Sequence, residues 1–353
     1  MNVTLSQAST LIRNVGTTNT ILLRGQPGIG KSSILLELQR EMPDYQVCYV
    51  DVANLDLGDL GMPVIDRESM TTSYAPNTRF GVGKNSTKPV ILMLDELGKA
   101  SRPVLNMLLP VMLEHRIADV HLPTGSVVCG TTNLDTDGVG DSIPAHAFNR
   151  MTVVNVANPT PDEWLQWASN HNVAPEVMAF AKQFPQVFDS YVSLDKKDKN
   201  PYIFNPMTGN VRAFCSPRSL AKASNLIAQR DVLGGALLPA LAGTVGESAA
   251  RDMEALINLA DQLPLFENIC AYPLKTKVPT SVGSLFILAF MLAGRVSEDT
   301  LDAVMDYADR IATQSFESHA LFITSLATNK HKVGLACRNR KFTAAAAKLG
   351  RYF

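Results

Sequence analysis

The sequence predicts a chain in two parts, an α/β domain followed by an all-helical region. Three observations predict it. The apolar run Ile21-Leu22-Leu23 leads into Gly25 to Ser32, GQPGIGKS, and from there into Ser33-Ile34-Leu35-Leu36-Glu37-Leu38, a stretch of helical composition. A second, fully apolar run, Val90 to Leu94, ends in Asp95-Glu96. Past Asn158-Pro159 the strand signals stop and the remaining patterns are helical.

Size and composition fit this division. A length of 353 residues leaves room for roughly two domains and a sizeable core. With 46% hydrophobic and 18% charged residues, the chain is globular rather than disordered. A formal net charge of −1 gives no global reason to expect nucleic acid or a membrane surface as partner. Cysteines at 48, 129, 215, 270 and 337 form no CxxC pair and no metal-ligand spacing. Their odd count, and a start at Met1-Asn2-Val3-Thr4 unlike a signal peptide, predict unbridged thiols in a reducing cytoplasm. Apolar runs such as Leu285 to Ala293 fall far short of the roughly 20 residues that span a bilayer.

Taken in order, Leu5, Ala8, Leu11, Ile12 and Val15 predict an amphipathic helix over residues 4–15. The helix after the Gly-rich loop runs to about Met42, where Pro43 ends it, and Gln46 to Val52 is a buried strand. Residues 54–88 are polar and punctuated by Gly and Pro, and read as a long irregular loop, GVGK at Gly81 to Lys84 included. After the strand at Val90 comes a helix over 101–114 with Val104, Leu105, Leu108, Leu109 and Met112 on its buried side. Ile117 to Leu122 and Ser126 to Cys129, joined by Pro123-Thr124-Gly125, read as a hairpin feeding a fourth buried strand. That strand ends at Gly130-Thr131-Thr132-Asn133; a Gly- and Asp-rich loop, Asp135 to Asp141, a short helix around Ala145 to Phe148, and a last strand at Thr152 to Val156 follow. In the helical region Pro161-Asp162-Glu163 opens a helix carrying Trp164, Leu165 and Trp167, and others are expected near 220–230, 248–262, 283–294 and 298–314. The charged run Asp195 to Asn200 reads as a solvated surface insertion.

Strand, Gly-rich turn, helix and Lys-Ser at the hinge make GQPGIGKS a GxxxxGK[ST] phosphate-binding loop in its required context. Gly25, Gly28 and Gly30 let the backbone curl so that its N–H groups face an anion at a helix N-terminus, which makes Gly25, Gln26, Pro27, Gly28, Ile29, Gly30, Lys31, Ser32 and Ser33 the candidate nucleotide-binding residues. Lys31 reaches the β- and γ-phosphates, and Ser32 places its hydroxyl on Mg²⁺. Asp95, at the end of a buried strand on the ligand edge of such a sheet, holds Mg²⁺ directly or through water, and Glu96 polarises the attacking water. Asn133 stands where it could orient that water, although an Asn after a strand is also a common turn former. From Ser318 to Phe353 there is no acidic residue but seven Lys or Arg, either a solvated helix face or a contact for an acidic partner or nucleic acid.

These residues resemble the AAA+ ATPases, specifically the MoxR-like, dynein-related branch. GQPGIGKS is similar to that family's first nucleotide motif and LMLDELGKA to its second. SIPAHAFNRM, residues 142–151, resembles the segment that supplies an arginine finger, which puts Arg150 on the arginine. Asn133 falls on the sensor-1 asparagine, and SPRS, residues 216–219, resembles the start of the sensor-2 helix, which puts Arg218 over the phosphates. The hairpin between Arg116 and Val128 is similar to the one this clade inserts before sensor 1. Lys99 stands where the family often has Arg, Asn149 where it has Asp, and residues 54–88 exceed the length in its simplest members.

The resemblance implies a P-loop AAA+ core of five parallel strands over residues 1–158, an all-α lid over 159–265 and a helical extension over 266–353. It further implies ATP and Mg²⁺ as ligands and homo-oligomerisation into a ring, usually a hexamer, with Arg150 acting in trans on a neighbour's γ-phosphate. Phosphoryl transfer independently favours such an arginine, which contributes on the order of 10³–10⁵ in rate. The implied activity is ATP hydrolysis that remodels or activates a protein client, often one with a von Willebrand factor A domain. No aromatic pore-loop signature stands in residues 54–88 or 115–125. The alternatives are a nucleic-acid motor or loader using the basic C-terminal region, and a nucleotide switch with little turnover.

Overall fold

Strands that are apolar on both faces are stable only between two covering layers, and the runs singled out above meet that condition. In the computed structural model, which describes residues 1–83, 86–134, 143–192, 200–205 and 213–350, the chain divides into two units, Met1–Asn158 and Pro159–Phe353. In chain order the first unit's strands are β1 (Asn2–Val3), β2 (Ile21–Arg24), β3 (Gln46–Asp51), a pair β4 (Gly61–Asp66) and β5 (Thr71–Pro76), β6 (Val90–Asp95), a short pair β7 (Arg116–Ile117) and β8 (Val120–His121), β9 (Val127–Thr132) and β10 (Thr152–Val156). Its helices are α1 (Leu5–Val15), α2 (Ile34–Glu41), α3 (Arg102–Glu114) and α4 (Ala145–Phe148).

Six of the strands form one all-parallel sheet in the order β1-β10-β2-β9-β6-β3. The five expected strands are present, and the two-residue β1 adds a sixth at the edge. Alternation along the strands sends Ile21, Leu23, Ile91 and Met93 into a core with Ala8 and Ile12 of α1 and Leu35 and Leu38 of α2. Leu22, Leu92 and Leu94 face the opposite way, into a core with Leu105 and Leu108 of α3. A capping box, Thr4 with Gln7, starts α1, and Met42 follows the last turn of α2, just before Pro43.

Two stretches differ from the sequence reading. Residues 54–88 are not irregular throughout, since β4 and β5 make a six-pair antiparallel ribbon flanked by single 3-10 turns at Leu57–Asp59 and Thr78–Phe80. The hairpin before β9 does not turn at Pro123-Thr124-Gly125. It pairs Arg116 with His121 and Ile117 with Val120 around Ala118-Asp119, and Val127–Thr132 runs instead between β2 and β6. Ala118 accepts a left-handed φ of 50°, and the Arg116 guanidinium donates to its carbonyl at 2.6 Å, which holds the tight turn.

Among its described residues the second unit is helical apart from one bridge, Ile203 to Cys215. Its helices are α5 (Pro161–Ser169), α6 (Pro175–Gln183), α7 (Pro217–Ile227), α8 (Arg230–Leu233), α9 (Leu237–Val245), α10 (Glu247–Ala260), α11 (Phe266–Ala271), α12 (Val282–Arg295), α13 (Leu301–Ala312), α14 (Phe316–Thr328), α15 (Val333–Arg338) and α16 (Arg340–Leu349). One core gathers Trp164, Phe180, Leu220, Met253 and Phe290, the other Ile269, Leu288, Tyr307, Phe322 and Phe342. The buried residues of α12 enter both. Thr160 with Glu163 boxes the start of α5, so a helix with Pro at its first position begins right after the first unit ends.

The loop Asp135 to Asp141, Ser142, Lys84, Arg351 and all of the charged run except Asn200 lie outside the described residues. All five cysteines are free. Among the described residues no helix is long and apolar enough to cross a membrane.

Candidate active site

The register that aligns Arg24 with Thr132, Leu94 with Gly130 and Asp51 with Asp95 brings four strand ends to one edge of the sheet. Open α/β sheets hold ligands at this carboxyl edge. The loop leaving β2 turns through positive φ at Gly28 (79°) and Gly30 (108°), which only glycine adopts without strain. A Cβ on Gly25 would lie 2.8 Å from the Val156 carbonyl oxygen, so the loop packs directly on the end of β10. Asn158 also donates to the Gln26 side-chain oxygen at 3.0 Å, and the Ser33 hydroxyl donates to the Gly30 carbonyl at 2.6 Å.

Lys31 is only 7% exposed, and its ammonium donates to the carbonyls of Gly25 (2.6 Å) and Gln26 (2.8 Å) and to Asn133 Oδ1 (3.1 Å). The amine is thereby folded into its own loop, beside the Asn133 that ends β9. Ser32 Oγ lies 2.9 Å from both oxygens of Asp95, itself 7% exposed at the end of β6. Glu96 takes a left-handed backbone (φ 54°), donates its N–H to Thr131 Oγ1 at 3.3 Å, and is ion-paired through Oε2 with Lys99 Nζ at 2.6 Å.

Lys31, Ser32, Asp95, Glu96 and Asn133 thus converge on one edge of the sheet. A family comparison agrees: residues 21–156 match the ATPase family associated with various cellular activities (AAA). This segment is an AAA ATPase domain. No curated protein matches the chain. Among solved structures the chain is similar to a RuvB variant of Thermotoga maritima, at 13% identity over 90% of this chain and 86% of that one, with a TM-score of 0.41. It is also similar to NtrX of Brucella abortus in complex with ATP, at 14% identity over 90% and 68%, with a TM-score of 0.39.

Two further groups of the AAA domain hold Asp95. Thr131 Oγ1 donates to Oδ1, and the Tyr49 hydroxyl donates to Oδ2 at 2.6 Å. Burial of the phenol, and then its bond to the carboxylate, push the Tyr49 pKa well above the ordinary value, so it remains a donor. Neither residue carries a sequence motif; Thr131 stands within GTTN, but the place of Tyr49 depends on strand register. The donor set, a hydroxyl and a carboxylate, consists of hard oxygens and fits Mg²⁺.

The two candidate arginines lie elsewhere. Arg150 stands two residues before β10, whose Thr152 is aligned with Ile21 at the start of β2, so it sits at the opposite edge of the sheet from the phosphate loop. Arg218 belongs to the second unit, exposed on the first turn of α7 behind the Ser216–Ser219 capping box. Among the described residues neither guanidinium makes an ion pair or side-chain hydrogen bond.

Proposed function

We propose that the AAA domain hydrolyses ATP with Mg²⁺ as a MoxR-like machine, in a homo-oligomeric ring, and that the ring remodels or activates a protein partner such as one with a von Willebrand factor A domain. The observation that carries the reading is the convergence of Lys31, Ser32, Asp95, Glu96 and Asn133 at one sheet edge while Arg150 stands at the other. Lys31 gives up its bonds to the loop carbonyls and takes β- and γ-phosphate oxygens instead. Ser32 and Asp95 would hold the cation. When bound, it supplies charge neutralisation on the phosphates. Glu96 accepts the proton of the attacking water, which requires it to release Lys99; a partly exposed pair of this kind contributes only about 0.2–1 kcal/mol and yields readily. Asn133 orients that water.

Arg150 cannot serve its own domain from the far edge, about 13 Å of strand away at 3.3 Å per residue. It is therefore assigned to the γ-phosphate of a neighbouring copy. Arg218, exposed and without an ionic partner among the described residues, is kept for an anionic ligand. The nucleic-acid alternative draws on Lys330, Arg338 and Arg340, whose side chains make no ion pair among the described residues. Two of its basic residues have internal duties: Lys332 donates to the carbonyls of Gly294 and Val296 at the end of α12, and Lys341 is paired with Asp306. Stimulation of hydrolysis by DNA, lost on neutralising Arg338 and Arg340, would favour that alternative.

Glu96→Gln is expected to bind ATP normally and lose hydrolysis by about 10²–10⁴-fold. Arg150→Ala should likewise bind and not turn over, and mixing the two variants should restore part of the activity. Full activity in Glu96→Gln would remove the assigned base, and absence of rescue in the mixture would remove the arginine in trans.

A further inference from the structure

Asp95, only 7% exposed at its strand end, is held by three hydroxyl groups. Ser32 bridges both of its oxygens, Thr131 donates to Oδ1 and Tyr49 to Oδ2. Thr131 reaches it from β9 and Tyr49 from β3, the two strands that flank β6. Tyr49 sits on an edge strand, is 51% exposed, and belongs to none of the hydrophobic cores, one of which its neighbours Cys48 and Val50 enter. The register sets it opposite Met93, so Asp95 is its diagonal neighbour on the same face, within reach of a long ring. Packing therefore gives no reason for an aromatic residue there, whereas the 2.6 Å bond does.

We propose that Tyr49 is a positioning residue for the metal-holding carboxylate, which rests on the reading that Ser32 and Asp95 hold the cation. A carboxylate turns about a broad, two-fold torsion. Thr131 on one oxygen and Tyr49 on the other stop that rotation and leave the side facing Ser32 turned toward an arriving cation. The two pins matter most when the Ser32 oxygen becomes a ligand, because its hydroxyl then no longer has to bridge Asp95. Partners of ligating carboxylates typically change metal affinity by about 10–100-fold when removed.

The test uses the full chain, a non-hydrolysable ATP analogue and Mn²⁺ as the probe, read from the free Mn²⁺ resonance signal. Tyr49→Phe is expected to weaken Mn²⁺ binding about tenfold, with analogue binding in EDTA unchanged and with the Mg²⁺ needed for half-maximal hydrolysis raised while the rate at saturating Mg²⁺ approaches wild type. Tyr49→Leu should match it, since the hydroxyl rather than the ring acts. Unchanged Mn²⁺ affinity in Tyr49→Phe, a parallel loss of metal-free nucleotide binding, or a far larger effect of Tyr49→Leu would each overturn the proposal. Ser32→Ala separates the two levels. If it weakens Mn²⁺ binding and Tyr49→Phe does not, only the role of Tyr49 fails; if Ser32→Ala has no effect, the metal site fails and the role of Tyr49 with it.

Discussion

A single hydroxyl ties the two acidic residues of the site together. Thr131 Oγ1 accepts the Glu96 N–H and gives its own hydrogen to Asp95, so it fixes both the unusual left-handed turn at Glu96 and the carboxylate before it. Thr131→Val keeps the shape but leaves the Glu96 N–H without that acceptor and Asp95 without one donor. It is expected to cost about 1–3 kcal/mol, seen as a lower urea midpoint, with Thr131→Ser losing less. The convergence of Lys31, Ser32, Asp95 and Glu96 on one sheet edge was legible from the sequence because the phosphate loop and the acidic strand end are local patterns. Tyr49, Thr131 and Lys99 were not, because their partners are chosen by which strand lies beside which and by how a left-handed turn aims Glu96. Asn133 is intermediate: its spacing allowed two readings, and the bond from Lys31 brings it into the site.

At the level of elements, the β4–β5 ribbon shows how a segment can escape sequence reading. Met62, Val64, Ile65 and Tyr74 are exposed on both of its faces, so no alternation of apolar and polar residues marks it, while Gly61, Pro63 and Pro76 give the punctuation of a loop. A two-stranded ribbon is marginal alone and offers open edges. Here Pro63 lacks an N–H on one edge, and on the other the N–H of its partner Tyr74 is taken by Asp119, in the turn between β7 and β8. Both edges are closed at the same pair. Asp119→Ala is expected to loosen the ribbon, and limited proteolysis within residues 66–71 should quicken several-fold with hydrolysis of ATP unchanged; equal cleavage in both proteins would show that the contact does not hold it. The buried strands and the long helices, by contrast, were readable because each is covered on the faces its pattern marks.

For the whole molecule, the first unit carries the AAA domain and the second its own two cores, and each has its own weak points. In the second, burial holds the His319 imidazole below its ordinary pKa of 6.5, against the pull of Asp309 and with a push from Lys348. The unfolded chain then takes up a proton that the folded chain refuses, so stability is present above the ordinary histidine pKa and is lost as pH falls through it. The urea midpoint should drop between about pH 7 and about pH 5, and less steeply in His319→Gln; identical slopes would assign the loss to other groups. The parallel sheet of the first unit has a different consequence. All six strands point one way, so the domain has a front, which bears the phosphate cradle, and a back, which bears Arg150. Two copies related by a two-fold axis would set front against front and complete nothing, whereas front-to-back addition completes one site at every joint. In the ring proposed above, damage is therefore inherited by neighbours: a copy without Arg150 silences the next copy's site and keeps its own, and a copy without both Arg150 and Glu96 removes two sites while occupying one place.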